Sequence, residues 1–217
     1  MKIRDILHEA AGNVTRKVMV FPGRFQPMMP HHAQVFAQLK SRFADHEVYL
    51  ATSNKTGGDD HPFTREEKEM IAARLYGIEP DRILAVDQPY RHTSYLGYFD
   101  GDATQLTFAL GAKDGDRLVP GQRNDQGLAV GKGGQPSHIQ PIEAARLGVL
   151  PFNQRMYVYV APTVTDDHGE AASASAFRAA FRGTQDPDRA RAIFQQFMGK
   201  MDEPVFQLMS QRLRGTT

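Results

Sequence analysis

Short apolar runs alternate along this chain with longer stretches in which apolar residues recur every three or four positions. Continuous apolar runs are typical of strands buried in a parallel sheet, whereas the longer spacing is typical of amphipathic helices. After the first run, Val35, Phe36 and Leu39 fall on one helical face. We therefore predict an α/β fold with a parallel sheet of about five strands flanked by helices. The predicted strands are 18–21, 47–52, 82–86, 106–111 and 155–161.

Helical stretches precede and follow this predicted sheet in the sequence. Residues 1–11 carry apolar side chains at helical spacing, and Asp186 and Glu203, each followed by proline, begin two amphipathic stretches near the end. A glycine-rich segment at 119–137 predicts a flexible insert or lid. We predict three regions, namely an N-terminal helix extension at 1–16, a central domain at 17–182 and a C-terminal helical extension at 183–217.

Composition narrows the classes of function. The 217 residues are 41% hydrophobic, enough for a sizeable core, and contain no cysteine, which excludes disulfides and thiolate chemistry. The net charge of +1, from 26 basic and 25 acidic residues, gives no basic field for nucleic acid. No apolar run is long enough to span a membrane, and no signal peptide is evident. We therefore expect a cytoplasmic protein with no nucleic-acid or membrane partner.

The segment from Phe21 to His32 carries the residues best suited to bind a phosphate group. It connects the first predicted strand to the first predicted helix, where free backbone N–H groups and the helix dipole favour negative charge. Gly23 allows the backbone to approach a ligand, and Arg24 offers a planar fork of donors. The segment predicts a phosphate-binding loop. A buried turn with two surface histidines is the alternative interpretation.

Two loops that follow predicted strands carry further polar candidates. The polar loop after the second strand ends in Phe63, and Thr64 and Glu67 then form a capping box for the next helix. The fourth strand ends in a polar turn at 111–114. Because the carboxyl ends of parallel strands meet at one edge of a sheet, this turn can face the same ligand as the loop at Gly23.

A serine-rich segment near the end of the predicted sheet suits the start of another helix. Ser173 or Ser175 can cap this helix, and Arg178 follows about one turn later. Hydroxyl groups, free backbone N–H groups and a guanidinium group together can hold phosphates. Taken alone, the pattern also fits an N-capped surface helix with a solvated arginine.

Taken in order, these segments resemble the nucleotidylyltransferases of the HIGH superfamily, which carry G-R-F-x-P followed by [H/T]-x-G-H. Residues 23–27 match the first half as it stands in the nicotinamide-nucleotide adenylyltransferases. In the second half His32 is kept, whereas Met29 replaces the first His or Thr and His31 replaces the Gly. The family's N-P-F-T, G-x-[KD]-D and I-S-x-T-x-[IVLF]-R motifs are similar to 61–64, 111–114 and 172–178.

The resemblance implies a Rossmann-like fold and transfer of the NMP moiety of a nucleoside triphosphate. The first expectation is transfer of AMP from ATP to a small phosphorylated acceptor such as nicotinamide mononucleotide, with release of pyrophosphate. Mg²⁺ held mainly by the substrate phosphates is the implied cofactor, so no metal ligand from the chain is expected. Family members are often oligomeric, which allows a homo-oligomer here.

The resemblance also implies a role for each matching residue. His32, Arg24 and Arg178 are the expected catalytic residues. We expect the acceptor to be bound by Asn54, Phe63, Thr64 and Arg91, and the nucleotide by Phe21, Gly23, Arg24, Phe25, Gln26, His32, Gly111, Lys113, Asp114, Ser173, Ser175 and Arg178.

Two alternative functions remain open at this point. CTP-dependent cytidylyltransferases share the outer motifs, so the nucleotide can be CTP. A catalytically weak or inactive nucleotide-binding accessory or structural protein is the second alternative, since the thioether of Met29 cannot donate the hydrogen bond that the family residue gives to phosphate. Large tailed phages carry similar GRFxP motifs, which makes a phage-encoded protein one form of this alternative.

Overall fold

The computed structural model describes residues 14–111, 114–115, 118–164 and 173–215. The helix predicted at 1–11 lies outside the described residues. The described strands are β1 (Arg16–Pro22), β2 (Glu47–Ser53), β3 (Ile83–Val86), β4 (Thr104–Leu110), β5 (Ile139–Pro141) and β6 (Met156–Val160). The described α-helices are α1 (Pro30–Arg42), α2 (Arg65–Tyr76), α3 (Ala174–Arg182), α4 (Pro187–Met198) and α5 (Glu203–Arg214).

The strands form one sheet in the order β3-β2-β1-β4-β6-β5. Strand β1 pairs in parallel with β2 and with β4, and β6 pairs in parallel with β4 and with β5. The predicted α/β fold is confirmed, but the sheet has six strands rather than five. Strand β5 is three residues long and ends in Pro141, so it carries too short a pattern to be recognised. Its place at the sheet edge is where proline is tolerated.

The chain divides into two compact units. The first consists of Met1–Pro22, Leu39–Ala51 and Gln88–Thr163, and the second of Gly23–Gln38, Thr52–Asp87 and Val164–Thr217. The boundaries predicted from sequence, after residues 16 and 182, stay predictions.

The core of the first unit is built on the central strands. Every residue of β4 is buried, its polar Thr104, Gln105 and Thr107 included, as expected for an inner strand of a parallel sheet. Part of the glycine-rich segment also packs here, because Leu128 joins Ala144 and Tyr157 in a buried cluster. The side-chain amide of Gln140 binds the backbone N–H and C=O of Ala129, at 2.7 Å and 2.8 Å. The prediction of a flexible insert is therefore wrong for this part of the segment.

The second unit contains α2 and the three C-terminal helices. The predicted capping box is present, with Thr64 and Glu67 each bonded to the other's backbone. Helices begin as predicted after Asp186 and at Glu203. Helices α3, α4 and α5 enclose an aromatic core in which the side chains are 0–5% exposed, namely Phe177, Phe181, Phe194 and Phe206.

Candidate functional site

Gln26 joins three of the predicted motifs within the second unit. Its side chain is 3% exposed, and its amide accepts a hydrogen bond from the Phe63 N–H at 3.0 Å and donates one to the Phe63 C=O at 3.2 Å. Its own backbone carbonyl accepts a hydrogen bond from Arg178, 152 positions later. The G-R-F-Q-P loop, the P-F-T segment and the start of α3 are therefore in direct contact.

Arg178 lies in a positively charged and partly dehydrated setting. Its side chain is 14% exposed, and its Nη2 is 3.7 Å from a carboxylate oxygen of Asp60, which is itself largely exposed. Burial, followed by the charges of nearby Arg182 and Arg24, lowers the pKa of Arg178, although Asp60 and Asp59 oppose the shift. Three cations near this loop, only weakly offset by exposed carboxylates, make it suitable for a polyanionic ligand.

The two serines lie at the N-terminus of α3, as predicted. Ser173 is the N-cap, and its Oγ accepts a hydrogen bond from the Ala176 N–H at 3.1 Å. The hydroxyl oxygens of Ser173 and Ser175 are 2.6 Å apart, and both residues are exposed. Exposed hydroxyls at the positive end of a helix can be reached by a ligand.

His32 is held as a neutral hydrogen-bond donor. The Met29 N–H donates to its Nδ1 at 3.0 Å, so Nδ1 must be the unprotonated nitrogen and Nε2 carries the hydrogen. Burial, with a smaller effect of the charge of His31, lowers the pKa of His32 to about 3. The ring also meets the edge of Phe25, with centroids 5.2 Å apart. His32 can therefore donate through Nε2 without carrying a charge at neutral pH.

Met29 departs from the family pattern in a way that the structure explains. Its side chain is 0% exposed and packs in the core, while its backbone N–H orients His32. The side chain is therefore a packing group. The ring of the adjacent His31 packs against that of His32, with centroids 3.9 Å apart and ring planes tilted by 48°, and burial lowers the pKa of His31 as well.

Gly23 is fixed by the close approach of the Phe25 ring. A Cβ atom at residue 23 would lie 2.7 Å from Phe25 Cζ. The Phe25 side chain is buried, and its backbone has a φ of 45°. We expect Gly23→Ala to displace the ring and to lower the free energy of unfolding by about 1–3 kcal/mol, measured by urea denaturation. Gly97→Ala is the matched control, since nothing lies within 4 Å of its Cβ position. Equal stability of the two variants would contradict the prediction.

The remaining predicted residues of the second unit differ in accessibility. Arg24 and Asn54 are exposed, which suits ligand contact. Phe63 is 0% exposed, so its side chain supports the loop from inside, and the hydroxyl of Thr64 is part of the helix cap. The acceptor-binding roles of Asn54, Phe63 and Thr64 stay predictions.

The other predicted residues belong to the first unit. Gly111 accepts hydrogen bonds from the N–H groups of Asp114 and Gly115, at 3.1 Å and 2.9 Å, which confirms a tight turn after β4. Lys113 lies outside the described residues. Phe21 is partly buried at the end of β1, and Arg91 is exposed. Their roles in nucleotide and acceptor binding stay predictions.

A cavity of about 340 Å³ in the first unit was not anticipated from the sequence. It lies beside the turn that follows β4, and its lining includes Gly115, Val119, Arg123, Glu143, Val158 and Val160. None of the motif residues that the structure describes is among its lining residues. Sequence reasoning missed the cavity because one wall follows the short strand β5, which the apolar pattern does not reveal.

In the part of the chain that is described, His, Asp and Glu side chains form no group of three or more that could hold a metal ion. No helix among the same residues has the length and apolarity needed to cross a membrane.

The known proteins to which this chain is similar are solved structures. No family model and no curated protein matches this chain. Similar solved structures include a nicotinic acid mononucleotide adenylyltransferase of Plasmodium falciparum complexed with NaAD, at 12% identity and a TM-score of 0.47, covering 89% of this chain and 94% of that one.

Two further similar structures are longer than this chain. A bifunctional NMN adenylyltransferase/ADP ribose pyrophosphatase of Francisella tularensis matches at 14% identity and a TM-score of 0.42, over 89% of this chain and 52% of that one. A macrolide-efflux protein of Streptococcus pneumoniae matches at 15% identity and a TM-score of 0.44, over 88% and 59%. Each of these likenesses is one of fold alone.

Proposed function

We propose that this protein is a nucleotidylyltransferase that transfers the NMP moiety of a nucleoside triphosphate to a phosphate acceptor and releases pyrophosphate. The single observation that carries the proposal is the pair of contacts made by Gln26, with Phe63 on one side and Arg178 on the other. A loop with a neutral histidine donor and an arginine-bearing helix N-terminus thereby form one anion-binding surface.

The chemistry follows from positioning and charge neutralisation. An acceptor phosphate oxygen attacks the α-phosphorus in line, the bond from that phosphorus to the bridging oxygen breaks, and pyrophosphate leaves with the electron pair. In this proposal the Nε2–H of His32 donates to the α-phosphate oxygens as their charge changes. Arg24 and Arg178 neutralise phosphate charge, and the hydroxyls of Ser173 and Ser175 hold the pyrophosphate end.

A low pKa suits His32 for this role. Because the ring stays neutral at neutral pH, it acts as a fixed dipole and takes no proton during the transfer. The Met29 N–H fixes the tautomer, so the donor on Nε2 is oriented before the substrate arrives. No covalent intermediate on the chain is required by this arrangement.

Magnesium would enter this site with the triphosphate. The described residues offer no cluster of carboxylates and histidines for the ion, so phosphates and water would hold it. It would neutralise charge on the leaving pyrophosphate, while the arginines fix the position of the phosphates.

The proposed substrates rest on the motifs. The G-R-F-Q-P and P-F-T matches favour ATP and nicotinamide mononucleotide. The acceptor would lie near Asn54, Phe63 and Thr64. CTP with a phosphorylated alcohol is the second pair of substrates, since cytidylyltransferases share the outer motifs.

Pyrophosphate release by the purified protein tests the proposal. ATP and CTP are supplied separately with magnesium, each with nicotinamide mononucleotide or with a panel of phosphorylated alcohols. We expect release with ATP and the mononucleotide. Release only with CTP would keep the reaction and change the substrates. Nucleotide binding with no release from any pair would contradict the enzyme and favour a nucleotide-binding accessory protein.

A further inference from the structure

Lys68 on α2 is a buried cation behind the G-R-F-Q-P loop. The residue is 3% exposed, and its Nζ donates hydrogen bonds to Thr52 Oγ1 at 3.2 Å and to the Ser53 carbonyl at 2.9 Å. Burial is the only cause that lowers its pKa, to about 8, and no carboxylate contributes. Keeping an ammonium group in such a place is costly, which calls for a role that an apolar side chain would not perform.

Thr52 connects Lys68 to the loop. Its hydroxyl donates to the backbone carbonyl of Arg24 at 3.1 Å and accepts from the Lys68 ammonium group. An ammonium group has no lone pair, so the hydroxyl can only accept from it and must direct its single hydrogen elsewhere. The protonated lysine therefore fixes the direction of the Thr52 hydroxyl toward Arg24.

We propose that Lys68 is a positioning residue that orients the Thr52 hydroxyl and thereby holds the Arg24 backbone in the conformation used for phosphate binding. The role in phosphate binding rests on the proposed function, whereas the effect on the loop does not. Lys68 is itself too deeply buried to contact the substrate, so it acts through Thr52.

Deprotonation of Lys68 would remove this constraint on the direction of the hydrogen bond. A neutral amine has a lone pair and can accept from Thr52, which leaves the Arg24 carbonyl without its donor. The charged groups nearest in sequence on α2 are engaged elsewhere, since Glu67 binds Arg212 and Glu69 binds Arg65. In the loop Arg24 is the charged group on the other side of Thr52.

A rise in pH is expected to loosen the loop but to increase the stability of the whole fold. The pKa of Lys68 is lower in the folded chain than the ordinary value of 10.5, so the unfolded chain binds more protons between these two pKa values. This group therefore increases the free energy of unfolding as pH rises through that window. The loop, in contrast, loses its hydrogen bond over the lower part of the same window, so a loosened loop is distinguishable from general unfolding.

Amide hydrogen exchange of the full chain tests the proposal without using activity. We expect exchange protection at residues 23–26 to fall about fivefold when pH rises from about 7 to about 10, after correction for intrinsic exchange, as for the loss of one hydrogen bond. In Lys68→Met the same amides should be less protected at both pH values, and their protection should not change between the two. Lys200→Met is the control, since Lys200 donates to a backbone carbonyl from the surface.

Thr52→Val gives a second and nearly isosteric variant in case Lys68→Met does not fold. It removes the donor to Arg24, leaves the bond from Lys68 to Ser53 and should loosen the same amides. Unchanged protection at 23–26 in either folded variant would overturn the proposal. If the variants loosen the loop but the wild type releases no pyrophosphate, the positioning role holds and the proposed function fails. With an active enzyme, we expect KM for the triphosphate to rise about fivefold and kcat to change less.

Discussion

Replacing His32 with alanine is expected to lower kcat by about 10²- to 10³-fold while the protein stays folded. The side chain supplies one oriented donor, through Nε2, and a donor of this kind acts mainly when charge develops on the phosphate oxygens. The measurement is the steady-state rate of pyrophosphate release, with circular dichroism to confirm the fold. His46→Ala is the control, because His46 pairs with Asp45 in the first unit, outside the site.

The pH profile adds an independent check on His32. Because its pKa is held at about 3, this ring should cause no step in the rate between about pH 5 and about pH 8. A step near the ordinary histidine pKa that disappears in His32→Ala would show that the ring titrates there. It would contradict the neutral-donor role.

Replacing Arg178 with alanine is expected to lower kcat/KM by about 10³-fold, the lower end of the range for an arginine that neutralises a transferring phosphoryl group. Burial keeps the guanidinium group from full hydration, so its charge is available to a bound triphosphate. The measurement is the initial rate at low triphosphate concentration. Arg182→Ala, on the same helix, removes a nearby positive charge whose partner Asp59 is 91% exposed, and we expect a much smaller loss.

Arg178→Lys separates the role in the reaction from the role in the loop. Lysine keeps the positive charge but lacks the planar fork, so we expect an activity between those of wild type and alanine. The alanine variant also removes the donor to the Gln26 carbonyl. If the lysine variant were fully active, the fork geometry would be irrelevant, and if Arg182→Ala were equally damaged, the effect would be a general loss of positive charge.

The alternation of apolar runs and helical stretches was sufficient to predict the α/β fold. Strands β1, β2, β3, β4 and β6 were recognisable because each forms a buried apolar run, and the ends of α2 and α3 were marked by capping residues. Strand β5 was not, because three residues carry no usable period and a proline argues against a strand.

The predicted site residues stay predictions, and the sequence does not reveal the contacts that the structure shows among them. The sequence predicts Gln26 as a ligand-binding residue. In the structure its buried side-chain amide is hydrogen-bonded to the backbone of Phe63. The thioether of Met29 cannot donate to phosphate, and the structure adds that this side chain is buried and that the Met29 N–H donates to His32. Contacts such as these depend on tertiary packing and produce no periodic pattern in the sequence from which they could be predicted.

The burial of Lys68 is likewise not predictable from the sequence. In the sequence it is one of several charged residues at the start of a capped helix and is expected to face solvent. Only the packing of α2 on the end of β2 shows that it is buried and bonded to Thr52.

Glu67 connects α5 to the helix cap beside Phe63. One carboxylate oxygen accepts from the Thr64 N–H at 2.8 Å, and the other accepts from Arg212 on α5 at 2.7 Å. The residue that closes the cap next to Phe63 is thus anchored by a helix that has no predicted substrate contact. A deletion that removes α5 would release this carboxylate, so a minimal fragment made to study phosphate binding would need to extend through Arg214.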